Sequence, residues 1–232
     1  MGQKKLYRFA ELKTFSNVLE NPSDAKGNWH TFFKNENPVI LELACGRGEY
    51  TLGLAQQHPE NNYIGIDIKG NRMYIGAKEA LQKNLINAAF LRTQIEKLPE
   101  YFESGEVSEI WITFPDPQLR VSKAKKRLTH PRFLRLYQQV LKPGGMIHLK
   151  TDSPDLFRFT SQVIEMYDLN QTDFSENVYA NDNIAPELKI KTHYESLDIA
   201  QSNKVYYMQF TLPQTLPLHH DKELKEYLMH EQ

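Results

Sequence analysis

The chain has 232 residues, 40% hydrophobic and 25% charged, enough for one soluble globular domain with a sizeable core. Its formal net charge of −1 excludes a uniformly basic nucleic-acid coat, so any site for a polyanion must be a local patch. A single cysteine excludes an intramolecular disulfide and a cysteine-rich zinc site, fits a reducing compartment, and leaves no metal site expected.

The N-terminus "MGQKKLYRFAELKTF" lacks the apolar stretch of an export signal, and nowhere do about 18 apolar residues run together. The protein is therefore read as cytoplasmic and unanchored, with no membrane partner. Residues 1–37 mix charge with aromatics around the loop "NPSDAKGN" and read as an N-terminal helical arm; residues 38–232 read as the main domain. From Pro38 the pattern becomes regular. "PVILEL" predicts a buried strand ending at "ACGRGEY", and "YTLGLAQQH" a helix. "NYIGIDI" is a second strand, followed by a helix with apolar residues at Met73, Ala77, Ala80 and Leu81. "NAAFLRT" and "VSEIWITF" are the third and fourth strands. "PRFLRLYQQVL" is a helix with Pro131 near its first turn, stopped by "KPGG". "GMIHLKT", "LNQTDFS" and "KVYYMQFTL" complete seven strands, with the helix "DLFRFTSQVIEMY" after the fifth. Strands alternating with helices of this length predict an α/β fold, a mostly parallel sheet wound on both faces. Such sheets bind ligands at the carboxyl ends of their strands.

Those ends carry the chemistry. Gly46 and Gly48 occupy the first strand-to-helix turn, where glycine permits a tight turn and close approach to a ligand. A dinucleotide fingerprint wants a third glycine, but that place holds Thr51. Glu42, inside the strand just before the glycines, would repel a pyrophosphate and suits a cationic group such as the amino-acid end of S-adenosylmethionine. Asp67 ends the next strand about 20 residues after the glycines, a spacing suited to a carboxylate accepting ribose hydroxyls. Gln94, after the third strand, either meets the adenine or is an ordinary surface glutamine. After the fourth strand comes "FPDP": Pro115 and Pro117 restrict the backbone on both sides of Asp116, which places a rigid carboxylate at the mouth of the cleft. A simple proline–aspartate turn is the competing reading.

A basic run follows at once. Arg120, Lys123, Lys125, Lys126 and Arg127 arrive with no acid anywhere between Asp116 and Asp152. Solvated loops usually mix signs, so this run points to phosphates, and the methyl acceptor is expected to be a nucleic acid. Its charge and lack of apolar anchors suggest a mobile loop. Two further polar clusters are "KTDSPD", with Asp152, and "KTHYE", with Thr192, His193, Tyr194 and Glu195; each serves the site or simply caps and decorates a helix.

Taken in order, "LELACGRGEY", "IGID", "FPDP" with its basic loop, "LKTD" and "KTHYE" resemble the bacterial tRNA (guanine-N7-)-methyltransferase family (TrmB), from about Val39 to Phe210. The resemblance implies a class I, Rossmann-like methyltransferase that uses S-adenosylmethionine to methylate N7 of a guanosine in the tRNA variable loop, usually position 46. It implies cofactor contacts at Glu42, Asp67, Gln94 and Asp116, with Asp116 catalytic. It implies tRNA or guanine contacts at Arg120, Asp152 and Thr192 to Glu195, and an RNA-contacting loop of Ser122, Lys123, Lys125, Lys126 and Arg127. Gln118 and Leu119 stand where the family often has tryptophan and histidine, Arg120 where lysine is usual, and Gln94 where Asp or Asn is common. The sequence leaves monomer and homodimer equally open. Adenine amino-methyltransferases are the enzymatic rival, but they use "DPPY" or "NPPY" with an aromatic after the second proline, which is absent here. A non-catalytic RNA-binding protein of the same fold is the other, disfavoured by the intact Glu42, Gly46, Gly48 and Asp67.

Overall fold

The computed structural model describes residues 2–180, 183–197, 201 and 203–230. In chain order it runs α1 (Gly2–Leu12), β1 (Val18–Glu20), α2 (Trp29–Phe33), β2 (Val39–Leu43), α3 (Glu49–Gln57), β3 (Asn62–Asp67), α4 (Gly70–Gln82), β4 (Ala88–Arg92) and α5 (Leu98–Tyr101). It continues through β5 (Val107–Thr113), α6 (Pro131–Gln138), β6 (Leu141–Thr151), α7 (Pro154–Met166), β7 (Asn170–Ser175), β8 (Tyr206–Thr211) and α8 (His220–His230), with short 3-10 turns between.

The strands form one sheet in the order β1-β4-β3-β2-β5-β6-β8-β7. All pairings from β1 to β6 are parallel, while β8 runs antiparallel to both β6 and β7. Burial on both faces explains why β2 and β3 read as continuous apolar runs instead of alternating ones: every residue in each is buried. Successive side chains still go to opposite faces. Leu41, Leu43, Ile64, Ile66, Ile110 and Ile112 join Trp29, Tyr137 and Phe159 on one side. Ile40, Tyr63, Phe90 and Trp111 join Leu52, Leu54 and Ala77 on the other. The chain order reverses direction between β2 and β5, and the cleft described below opens at that switch point.

The sheet has eight strands, one more than the sequence pattern predicts. The extra strand, β1, lies in the segment expected as a helical arm, and its three residues pair in parallel with Phe90–Arg92 at the sheet edge. Three half-buried residues carry no period that a sequence pattern can register. The same segment also enters the core. Trp29 is 1% exposed, donates from Nε1 to the Tyr101 carbonyl at 2.9 Å and stacks on Phe102. α1 packs on α4, where Glu11 accepts from the Tyr74 hydroxyl at 2.6 Å and from Lys78 Nζ at 3.1 Å. At the far end of the chain, α8 is fastened by Asp221, which accepts from Arg135 and from the Tyr167 hydroxyl. Among the described residues no helix is long and apolar enough to cross a membrane.

Candidate active site

A cleft of about 990 Å³ opens at the carboxyl ends of the central strands. Of the residues picked out from sequence, Glu42, Gly46, Asp67, Gln94, Asp116, Asp152, Thr192 and Tyr194 line it. Gly48, Arg120, His193, Glu195 and the basic loop do not.

The glycine turn forms the floor. Gly46 and Gly48 have φ of 57° and 77°, and Ala44 just before them sits at 58° although it is not glycine. Side chains rarely adopt that region, so the backbone here is held against its preference by its surroundings. The ties are visible: Cys45 N donates to the Ile66 carbonyl at 3.0 Å, and Gly46 N to Asp67 Oδ2 at 2.9 Å. Gly48 packs beneath the turn; a Cβ there would meet the Phe90 ring at 2.5 Å. From α4 comes a matching close approach, since a Cβ on Gly76 would lie 2.2 Å from the Arg47 carbonyl oxygen.

Glu42 sits under this turn, 3% exposed. Its Oε2 accepts from Thr51 N at 2.7 Å and from the Thr51 hydroxyl, and its Oε1 accepts from the Thr113 hydroxyl at 2.7 Å. Thr51, the residue that breaks the dinucleotide fingerprint, is thus the partner that holds the strand acid. Burial pushes the Glu42 carboxyl up to about 7, against the opposing pull of those three hydrogen bonds. Asp67 spends one lone pair of each oxygen on the backbone, accepting from Gly46 N and from Lys69 N at 2.7 Å. Neither threonine stood out in the sequence, yet the gap where a third glycine was wanted marked one of them.

At the mouth, Phe114 and Gln118 bracket the two prolines with φ of 46° and 48°. Phe114 N is fixed to the Lys150 carbonyl at 2.8 Å, and Asp116 Oδ1 accepts from Gln118 N at 3.0 Å. Pro115 is buried while Asp116 is exposed, so the rigid turn presents its carboxylate to the cleft. Gln94 is exposed on the rim and opens a 3-10 turn at Ile95–Lys97. Asp152 is half-buried just beyond β6, next to Ser153, which caps α7 by accepting from Leu156 N at 3.2 Å.

The basic segment departs from expectation in two respects. Val121–Lys126 is a 3-10 helix anchored by Ala124, which is 2% exposed, so an apolar anchor does exist. One small alanine among lysines gives a sequence pattern nothing to detect. Arg120, Ser122, Lys123, Lys125 and Lys126 are exposed. Arg127 is not: it is 4% exposed, with its guanidinium 4.5 Å above the Phe159 ring and Nε donating to the Gln118 carbonyl at 3.3 Å. Arg127 therefore ties the loop to the "FPDP" turn, with its guanidinium facing Phe159 instead of solvent.

The "KTHYE" segment splits. Thr192 is buried in the cleft wall, and Tyr194 leans over the glycine turn with Arg72 above its ring at 5.2 Å. His193 lies edge-on to Tyr194 outside the cleft. The Glu195 carboxylate turns inward, away from the cleft, and pairs with Lys150 Nζ at 3.1 Å.

The sequence profile of a family described as "Putative methyltransferase" matches residues 36–208. A tRNA (guanine-N(7)-)-methyltransferase from Bacteroides thetaiotaomicron is 46% identical over 223 residues, spanning 92% of this chain and 88% of the relative. One of the same name from Porphyromonas gingivalis is 51% identical over 213 residues, spanning 87% and 86%. The chain belongs to the tRNA (guanine-N7-)-methyltransferase family. The 16S rRNA methyltransferase KamB has a TM-score of 0.60 against it at 18% identity, over 81% of this chain and 94% of that one, a likeness of fold alone.

A methyltransferase of this family needs a donor, and the residues present fit S-adenosylmethionine. Asp67 keeps a second lone pair on each oxygen for the two hydroxyls of a ribose. Thr93 lines the cleft, and its buried hydroxyl has no hydrogen-bond partner among the described residues. The carboxylate set, Glu42 with Asp67 and Asp116, is suited to a cationic ligand and opposed to a dinucleotide's pyrophosphate.

Proposed function

We propose that this chain transfers a methyl group from S-adenosylmethionine to N7 of a guanosine in tRNA, at position 46 of the variable loop. The observation that carries the reading is Asp116, an exposed carboxylate on a rigid turn, set between the glycine floor of the cleft and a row of exposed cations. The names of the relatives in Bacteroides and Porphyromonas supply the acceptor, and the variable-loop position rests on family resemblance.

The bound donor supplies an electrophilic methyl on a sulfonium. Guanine N7 has a free lone pair at neutral pH and no proton to lose, so the chain need not provide a general base. Its residues align and exclude water. Gly46 and Asp67 would hold the cofactor's ribose, and Glu42 would supply negative potential for its cationic end. Asp116, at the mouth of the cleft, would face the purine as it meets the cofactor. As N7 is alkylated the ring gains positive charge and its N1–H becomes more acidic; Asp116 would stabilise that charge, and Asp152 and Thr192, which line the same cleft, would meet the base. Labelled S-adenosylmethionine and unmodified tRNA are expected to yield N7-methylguanosine at one variable-loop site on nucleoside analysis. Label in another nucleoside would keep the fold and donor and overturn the acceptor.

The exposed cations act on phosphates. Arg120, Lys123, Lys125 and Lys126 would make about four contacts, so log K for tRNA should fall against log salt with a slope near −3. Replacing the three lysines by alanine should flatten that slope by about 2 units while leaving cofactor binding unchanged. An unchanged slope in the triple variant would place the tRNA elsewhere.

A further inference from the structure

Lys150 is the penultimate residue of β6 and is wholly buried, an uncommon place for a lysine. Its Nζ donates to the Leu188 carbonyl at 2.9 Å, the Ile190 carbonyl at 2.8 Å and Glu195 Oε2 at 3.1 Å. The Tyr179 hydroxyl, 3.4 Å from Nζ, donates in turn to the other Glu195 oxygen. Tyr50, Phe114 and Tyr179 present their rings to the ammonium. All three close acceptors belong to one strap, residues 186–195, which crosses the top of α3. There the Tyr50 hydroxyl donates to the Glu187 carbonyl, Glu187 pairs with His58 at 2.7 Å, and Ile190 packs on Gly53. The strap's far end carries Thr192 and Tyr194 into the cleft wall.

We infer that Lys150 is a positioning residue that fastens this strap across the cofactor cleft, and that Glu195 acts through Lys150 and not on the substrate. The inference rests on the cleft being the S-adenosylmethionine site. Leu188 and Ile190 anchor the strap over α3, but none of residues 191–195 buries a hydrophobic side chain that would set its depth over the cleft. Two backbone carbonyls and a carboxylate converging on one buried ammonium fix it at two levels, next to Ile190 and at Glu195 beyond Tyr194. Burial lowers the Lys150 pKa, with Glu195 opposing that shift; the ammonium and carboxylate therefore depend on each other. The backbone carbonyl of the same lysine accepts from Phe114 N, so one residue braces both the strap and the "FPDP" turn.

The test uses the full chain with the ion pair replaced as a unit, Lys150→Met with Glu195→Leu, because removing both charges avoids leaving one uncompensated in the core. The double variant is expected to melt cooperatively yet bind S-adenosylmethionine at least about tenfold more weakly by calorimetry. Amide exchange should rise in residues 186–195 and stay unchanged in β2 and β5. Should the double variant melt without cooperativity, Lys150→Gln, which keeps a neutral donor for one carbonyl, carries the same expectation. Wild-type cofactor affinity in a folded variant overturns the inference. Glu195→Gln keeps one acceptor for Lys150 Nζ but removes the counter-charge of the buried ammonium, so cofactor affinity is expected to fall by about tenfold, as in the double variant. Unchanged cofactor affinity with lost methyl transfer in Glu195→Gln would instead place Glu195 on the substrate and overturn its assignment. If the wild-type chain binds no S-adenosylmethionine, the functional reading falls and takes the inference with it.

Discussion

Asp116→Ala is expected to slow methyl transfer to tRNA by about 100-fold at saturating substrates, the scale of losing one preorganised electrostatic contact. Folding should change little, because the side chain is exposed and its single bond within the described residues is the turn contact to Gln118 N. That contact costs at most about 1 kcal/mol to lose. The large effect on rate follows from geometry. Two prolines and the left-handed Phe114 fix the main chain, so the carboxylate needs no reorganisation when positive charge develops on the purine. Asp116→Asn separates the two roles of the residue. It keeps an acceptor for Gln118 N and removes the charge, so the turn survives and the electrostatic contribution does not. Both variants are expected to lose turnover, with the midpoint of thermal unfolding held. Full turnover in Asp116→Asn would make the residue a turn-former, and full turnover in Asp116→Ala would remove it from the site.

How far the sequence anticipates this site depends on whether a residue acts through its own position or through a partner. Glu42, Asp67 and Asp116 each sit at the end of a buried strand, and an open parallel sheet brings strand ends together whatever the details of packing. Their convergence was therefore legible. Lys150 was not. In "GMIHLKT" it reads as one more cation in an acid-free stretch, and only the path of residues 186–195 over it turns it into a buried hub. The placement of Glu195 was hidden for the same reason: "KTHYE" shows four polar or aromatic side chains, but the backbone sends Thr192 and Tyr194 to the cleft and the carboxylate to Lys150. Arg127 belongs with them, because its charge faces Phe159 and not solvent. In the fold, β1 escaped notice because pairing at a sheet edge needs backbone alone, and backbone leaves no signature in side-chain pattern.

Glu42→Gln is expected to make the cofactor-free protein more stable above pH 7 while weakening its hold on S-adenosylmethionine. In the folded chain the buried carboxyl keeps its proton up to about 7, against 4.5 for an ordinary glutamate. Between those values the folded state binds more protons than the unfolded state, so stability is greatest at the acid end, falls as pH rises through this window and then levels off. The full span corresponds to roughly 3 kcal/mol as an upper bound. Glutamine removes the ionisation and still fits the hydrogen bonds: its oxygen accepts from Thr51, and its amide donates to the Thr113 hydroxyl. Urea unfolding at pH 5, 7 and 8.5 should show the stability of the wild type falling relative to the variant through this window; other titrating groups, such as His130, which burial pushes down to about 4, cancel in that difference. A buried acid that costs stability is retained for a reason, and the cationic end of the cofactor supplies one. Binding of that charge favours the ionised carboxylate, so uptake of S-adenosylmethionine near pH 7 should release a fraction of a proton, measurable by calorimetry in buffers of different ionisation enthalpy. The variant should release none and bind at least about tenfold more weakly, as loss of a buried charge-assisted contact predicts. Wild-type affinity in Glu42→Gln would separate the carboxylate from the cofactor and leave its burial a matter of anchoring the glycine turn through Thr51.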